Sequence, residues 1–177
     1  MEPLIVQQIE TPLGAFRAAT SADAVAAAAF ETCDRFDERC QTWRDANPDA
    51  PPACPKFARH AAEKLEAYFE GDVNALSGLP IDPVLPQPTL NALRAVQQIP
   101  PGETRAYSDI ARQLNYGRLG ARFVGSANAR NPIALFIPCH RVIAKDGTLG
   151  GYGGQIHRKA WLLEWERTNA NNPNESG

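Results

Sequence analysis

The chain is poor in the residues that most often do chemistry, with one methionine, three histidines and four cysteines in 177 residues. It also has no long apolar run. The longest, 24-AVAAAAF-30, falls far short of the roughly 20 residues needed to span a bilayer, so no membrane is expected among its partners. Residues 1–20 contain Glu2, Glu10 and the Thr11-Pro12 step, not a basic start followed by an apolar core. No signal peptide is therefore expected, and the cytoplasm is the expected compartment. In that setting four cysteines read as thiols, not disulfides. Three of them form C-x6-C-x13-C-x5-H with His60 (Cys33, Cys40, Cys54), which is no recognised zinc spacing, and neither metal nor cofactor is expected. Internal repeats and low-complexity tracts are absent.

What is present is a globular composition, with 44% hydrophobic and 21% charged residues, which excludes a disordered chain. The net charge of −2 conceals an asymmetry. Residues 1–88 hold 7 Lys/Arg against 14 Asp/Glu, whereas residues 89–167 hold 11 against 5. Such a contrast suits a C-terminal part that meets a polyanion, although two solvated faces of one domain would also produce it.

Apolar and polar residues broadly alternate over 3–20, interrupted by 11-TPLG-14, which predicts a strand–turn–strand start. Residues 30–55 are polar and include the proline-rich loop 48-PDAPPACP-55. A helix is predicted over 57–71, with Phe57, Ala61, Leu65 and Phe69 at helical spacing and Gly71 as its stop. The stretch 79-LPIDPVLPQPT-89 holds four prolines, excludes a helix and reads as a linker. Beyond it, Thr89 is placed to cap a helix over 90–98 and Ser108 one over 109–116, closed by Gly117. A further helical segment over 119–129, ended by 131-NP-132, completes a helix-turn-helix outline. The expected fold is an α/β N-terminal domain with a small sheet (1–80) and a proline-rich linker (81–88). A mostly α winged helix-turn-helix domain (89–170) and a flexible tail (171–177) follow.

One short stretch stands out chemically. Cys139 and His140 lie side by side between Pro138 and Arg141, ahead of a loop with five glycines over 146–154. An ordinary thiol is little ionised at neutral pH, and a neighbouring base or cation raises the nucleophilic fraction. In a strand, adjacent side chains point to opposite faces, so direct contact would need a turn or a bridging water. An orienting carboxylate would come from the last helix, 157-HRKAWLLEWER-167. With Trp161, Leu162 and Trp165 inward, either Glu164 or Glu166 could reach back.

The run 138-PCHRV-142 resembles the signature of the O6-alkylguanine-DNA alkyltransferases, also called methylated-DNA–protein-cysteine methyltransferases. The similarity extends through 102-GETRAYSDIARQL-114, 120-GARFVGSANARNPIALFIPCHRVI-143 and 146-DGTLGGYGGQIHRKAWLLEWE-166. It is strong over 89–167, and a weaker echo, including 11-TPLGAF-16, covers the rest.

The resemblance implies direct-reversal repair by a single-turnover alkyltransferase. Cys139 would accept the alkyl group in an in-line displacement. His140 would act as its base through a water, Glu166 would orient the imidazole, and Asn131 would join the same network. Tyr107 would donate a proton toward the departing base and contact DNA. Arg122 would fill the space left by the flipped nucleotide, with Ala121, Gly125, Ser126 and Arg130 meeting DNA beside it. Val142, Tyr152, Gly153 and Gly154 would line the base pocket, with the carbonyls of Cys139 and Val142 accepting from the exocyclic amine. The implied partner is double-stranded DNA carrying O6-alkylated guanine, bound by a monomer. The residues leave open whether alkylated thymine is repaired and whether binding along DNA is cooperative.

Two positions depart from the family pattern. Gly153 stands where some members have a serine, and Phe123 replaces the alanine of R-A-V-G. Three other readings compete, one of them a multidomain adaptive-response regulator, which would need an extra domain. Alkyltransferase-like binding proteins lack the acceptor cysteine that this chain has. A cysteine hydrolase would need an oxyanion site, and no separate signature for one is evident.

Overall fold

The computed structural model describes residues 2–170, so the tail expected at 171–177 lies outside the described residues. Contacts divide the chain into two units, Met1–Val84 with Pro132–Phe136 and Leu85–Asn131 with Ile137–Gly177. A small antiparallel sheet in the first and mostly helical structure in the second agree with the expected fold class. No helix among the described residues is long and apolar enough to cross a membrane.

In the first unit, β1 (Ile5–Ile9) and β2 (Phe16–Thr20) form the expected hairpin, with Ile9 opposite Phe16. Thr11 closes the turn: the Leu13 N–H donates to its hydroxyl at 3.1 Å, and that hydroxyl donates to the Gly14 carbonyl at 2.6 Å. Gly14 takes a φ of 101°, which a residue without Cβ adopts at no steric cost. The alanine-rich run forms β3 (Val25–Phe30), antiparallel to β2 and buried at all six positions. A strand buried on both faces shows no alternation, so its sequence carries no period-2 signal.

The far edge of β3 is paired rather than open. The Val25 N–H donates to the Pro80 carbonyl and the Asp82 N–H to the Val25 carbonyl, both at 2.9 Å. The Ala28 N–H donates to Pro132 and the Ala134 N–H to Ala28, also at 2.9 Å. These bonds correct two boundaries. Ile81 and Asp82, read as linker, are tied to β3, because proline carbonyls accept even though proline cannot donate. Residues 132–136, read as part of the C-terminal domain, group with the first unit.

The polar 31–55 segment, to which the sequence assigned no element, contains α1 (Phe36–Ala46). Its buried Phe36, Cys40 and Trp43 follow i, i+4, i+7 spacing and pack into a core with Leu4, Ala19, Ala26, Ala27 and Ala29. Trp43 Nε1 donates to Asp82 at 2.8 Å. Burial raises the Cys40 thiol pKa, as befits a core thiol. In α2 (Pro55–Phe69) the buried stripe is Ala58, Ala61, Leu65 and Tyr68, while Phe57 and Phe69 are only half-buried.

In the second unit α3 (Gln87–Gln97) starts before its expected cap. Pro88 sits in the first turn, where its missing N–H costs nothing, and Thr89 is buried inside the helix. Likewise α4 (Tyr107–Gln113) begins at Tyr107 with Ala106 at its N-cap, so Ser108 lies within the helix and does not cap it. A tight turn leads to α5 (Gly120–Ala129), the second helix of the helix-turn-helix. Two short parallel strands, β4 (Arg105–Ala106) and β5 (Val142–Ile143), bring residue 105 beside residue 142. The last helix is α6 (Ile156–Ala170).

Phe16 is fully buried and meets Phe30 edge to face at 4.9 Å. Phe16→Ala should cost about 3–5 kcal/mol in chemical denaturation, and a loss below about 1 kcal/mol would remove Phe16 from the core.

Candidate active site around Cys139

Cys139–Arg141 form a 3₁₀ turn, and strand geometry begins only at Val142. The Cys139 N–H donates to the Ile137 carbonyl at 2.8 Å and the Arg141 N–H to the Pro138 carbonyl at 2.9 Å. Successive side chains of a 3₁₀ turn diverge by about 120°, so Cys139, His140 and Arg141 fan out in three directions. All three are buried. Asn131, also buried, donates its Nδ2–H to the same Ile137 carbonyl at 2.8 Å and so pins the approach to the cysteine.

The carboxylate is Glu166. Glu164 is exposed and pairs with Arg167, whereas Glu166 has no exposure at all. Four donors converge on it. His140 Nε2 lies 2.8 Å from Oε1, Arg141 donates from Nη2 at 2.8 Å and Nε at 2.9 Å, and the Gly102 N–H donates at 3.3 Å. Arg141 also donates from Nη1 to the Ile99 carbonyl at 2.6 Å. Burial by itself would raise the Glu166 pKa. The His140 and Arg141 contacts more than offset that effect and hold it well below the usual carboxylate range.

A carboxylate only accepts, so the hydrogen of neutral His140 sits on Nε2. Its Nδ1 is buried and has no hydrogen-bond partner among the described residues, which leaves that lone pair available as a base. Burial lowers the His140 pKa, with Glu166 acting partly against it, so the ring is neutral at pH 7.

Lys159 also belongs to the site, although the sequence reading passed over it. It is fully buried and donates to the Val142 carbonyl at 2.6 Å and to the Leu149 carbonyl. Its third acceptor is the Tyr107 hydroxyl, at 3.5 Å. Burial lowers its pKa and Cys139 pulls the other way, so the ammonium and the cysteine sulfur are electrostatic neighbours. One signal could have found it: Lys159, Leu162 and Glu166 follow i, i+3, i+7 on α6, one continuous face.

Tyr107, the first residue of α4, lies between two glycines. A Cβ at Gly150 would stand 3.1 Å from its hydroxyl and one at Gly125 would stand 3.9 Å from its ring. Burial, then Cys139, raises the Tyr107 pKa, so it keeps its proton. The Tyr152 hydroxyl is buried without a hydrogen-bond partner among the described residues. Its pKa is raised well above normal by burial and then by Cys139, so the loop tyrosine too is an electrostatic neighbour of the sulfur. Gly153 and Gly154 are exposed, with φ of 54° and 78°, and a Cβ at either would meet nothing within 4 Å. They lie on an open rim, not in the packed wall. On α5, Arg122, Ser126 and Arg130 point to solvent, and Ala121 and Gly125 are half-buried.

The chain is similar to known proteins. Residues 88–168 match a family model described as the DNA binding domain of 6-O-methylguanine DNA methyltransferase. A methylated-DNA–protein-cysteine methyltransferase of Methanosarcina barkeri is 45% identical over 114 residues, 64% of this chain and 71% of that protein. One from Mycobacterium leprae is 42% identical over 128 residues, 72% and 75% of the two chains. This chain belongs to the methylated-DNA–protein-cysteine methyltransferase family. The crystal structure of Mycobacterium tuberculosis O6-methylguanine methyltransferase superposes with a TM-score of 0.74 at 32% identity, covering 93% of this chain and 94% of that one. The M. tuberculosis protein in complex with DNA gives 0.76 at 33% identity, covering 93% of each chain.

The paired charges have a measurable consequence. Because the folded-state pKa of Glu166 is depressed, its stabilising contribution is complete above the unfolded value of about 4.3 and is lost as pH falls below it. Glu166→Gln should lower stability at pH 7 by about 3–5 kcal/mol, because it leaves Arg141 buried without its counter-ion. It should also flatten the loss between pH 5 and pH 2 in denaturant titrations. An unchanged acid slope would mean that Glu166 does not carry it.

Proposed function

We propose that this protein repairs O6-alkylguanine in double-stranded DNA by moving the alkyl group irreversibly to Cys139. The observation that carries the reading is the buried 3₁₀ turn, in which Cys139 precedes a histidine held by a fully buried carboxylate through Nε2.

The chemistry balances within one chain. The Cys139 thiol gives its proton, through an intervening water, to His140 Nδ1. The sulfur attacks the alkyl carbon, a C–S bond forms as the C–O6 bond breaks, and the electron pair passes to the guanine. Tyr107 then supplies a proton to the departing base, which leaves as neutral guanine. The raised Tyr107 pKa keeps that proton available, and the Lys159 ammonium is placed to support Tyr107 afterwards. Glu166 holds the imidazole in one tautomer and takes no proton itself, because four donors already engage its oxygens. A thioether does not hydrolyse readily, so each molecule acts once.

The target atom is inaccessible within a duplex, so the nucleotide must be rotated out of the stack. Arg122 is exposed on α5, next to the half-buried Ala121 and Gly125, and in this reading it fills the gap. The half-buried Ala121 and Gly125 let α5 lie close to the minor-groove floor, and Arg130 supplies charge for the phosphates. Val142 and Tyr152 bound the flipped base, with Gly153 and Gly154 at the open rim. The acceptor must stay reduced and reach DNA, which suits the cytoplasm. All named groups come from one chain, so the reading needs no second copy.

Radiolabelled O6-methylguanine in a duplex tests this reading. Label should move to wild-type protein and stop at one equivalent, while Cys139→Ala should take none and still bind the duplex. Transfer by Cys139→Ala, or turnover beyond one equivalent, would overturn the acceptor role.

A further inference from the structure

We infer that Tyr116 and Phe123 form an aromatic brace that positions Arg122 for opening duplex DNA, a role separate from the transfer chemistry and resting on the repair reading above. Both side chains are half-buried, and their rings meet edge to face at 5.2 Å with an interplanar angle of 85°.

The brace joins a strained turn to the helix that follows it. Between α4 and α5 the chain takes positive φ twice, 56° at Asn115 and 63° at Gly117. A non-glycine residue in that region persists only where its surroundings hold it. Tyr116 lies between the two. Its hydroxyl donates to the Pro88 carbonyl in the first turn of α3 at 3.1 Å. Its Cβ would stand only 2.8 Å from a Cβ built at Gly120, as would that of Ala111, so α5 begins in close contact with both.

Phe123 fixes the rotation of α5 about its axis. At about 100° per residue, the helix presents three faces. Gly120, Val124 and Ala127 are buried, Ala121 and Gly125 lie on the flank where Gly125 faces the Tyr107 ring, and Arg122, Ser126 and Arg130 are exposed. Phe123 sits at the border of the buried and exposed faces, on the side away from Tyr107. The Tyr107 contact alone leaves that opposite border unheld, and the Tyr116 ring closes it. Arg122, the adjacent residue, then projects in one direction. Phe123 is also where this chain departs from the alanine of the R-A-V-G pattern, so the brace is built from its own residues.

The test compares single-turnover methyl transfer from O6-methylguanine in a duplex with transfer from the same lesion in a single strand, which needs no helix opening. Phe123→Ala should slow the duplex reaction about two- to tenfold, the range set by the worth of one aromatic pair, and leave the single-strand rate within a factor of about two. Arg122→Ala should shift the same ratio, and Phe123→Tyr, which keeps the ring, should restore it. If Phe123→Ala does not fold, Tyr116→Leu is read in the same way. An equal fall on both substrates, or an unchanged duplex rate, would overturn the brace. If the wild-type protein takes up no methyl from either substrate, the repair reading fails and the brace falls with it.

Discussion

One buried negative charge organises the C-terminal unit. Glu166 sits at zero exposure, where an unpaired carboxylate would be very costly, and stays ionised because four donors reach it from three residues. Those donors are the turn at Gly102, the imidazole of His140 and two nitrogens of Arg141. Meeting the charge therefore fixes where the 3₁₀ turn lies against α6. It also selects the tautomer of His140, and with it which nitrogen keeps a free lone pair. A buried ion pair is often no more stabilising than apolar packing, so its value here lies in geometry.

A second buried charge works on the other side of the turn. Lys159 spends its three N–H groups on the Val142 and Leu149 carbonyls and the Tyr107 hydroxyl. It thus holds β5, the glycine-rich loop and the start of α4 at one point. The two charges lie on one face of α6, seven residues apart and separated by buried Leu162. The helix carries its anion to the histidine and its cation to the tyrosine.

Much of this was legible in the residues, and the exceptions have physical causes. The β1–β2 hairpin, α2 and the α4–α5 outline followed from alternation, helical spacing and turn chemistry, all of which are local. The sequence left Glu164 and Glu166 as alternatives, and the resemblance chose Glu166. Only packing shows that Glu164 is exposed and Glu166 buried. β3 was not legible because Val25–Phe30 is buried on both faces and has no alternation to read. α1 was hidden by its charged residues, although Phe36, Cys40 and Trp43 keep helical spacing. The 3₁₀ turn at Cys139 could not be told from a strand, since a three-residue element has no period. Ser108 and Thr89 have the side chains of good caps, but each lies inside a helix that starts earlier than its cap signal suggests. Lys159 was missed because a lysine is almost never fully buried, and nothing local announces the two carbonyls that accept from it.

The account rests on Cys139 being the atom that keeps the alkyl group. The most direct measurement is intact mass, followed by peptide mapping, after incubation with a duplex holding one O6-methylguanine. The account expects one added methyl on the peptide containing Cys139, with no other cysteine modified however large the excess of DNA. Restored guanine in the DNA with no gain in protein mass, or a methyl found on Cys33, Cys40 or Cys54, would contradict it.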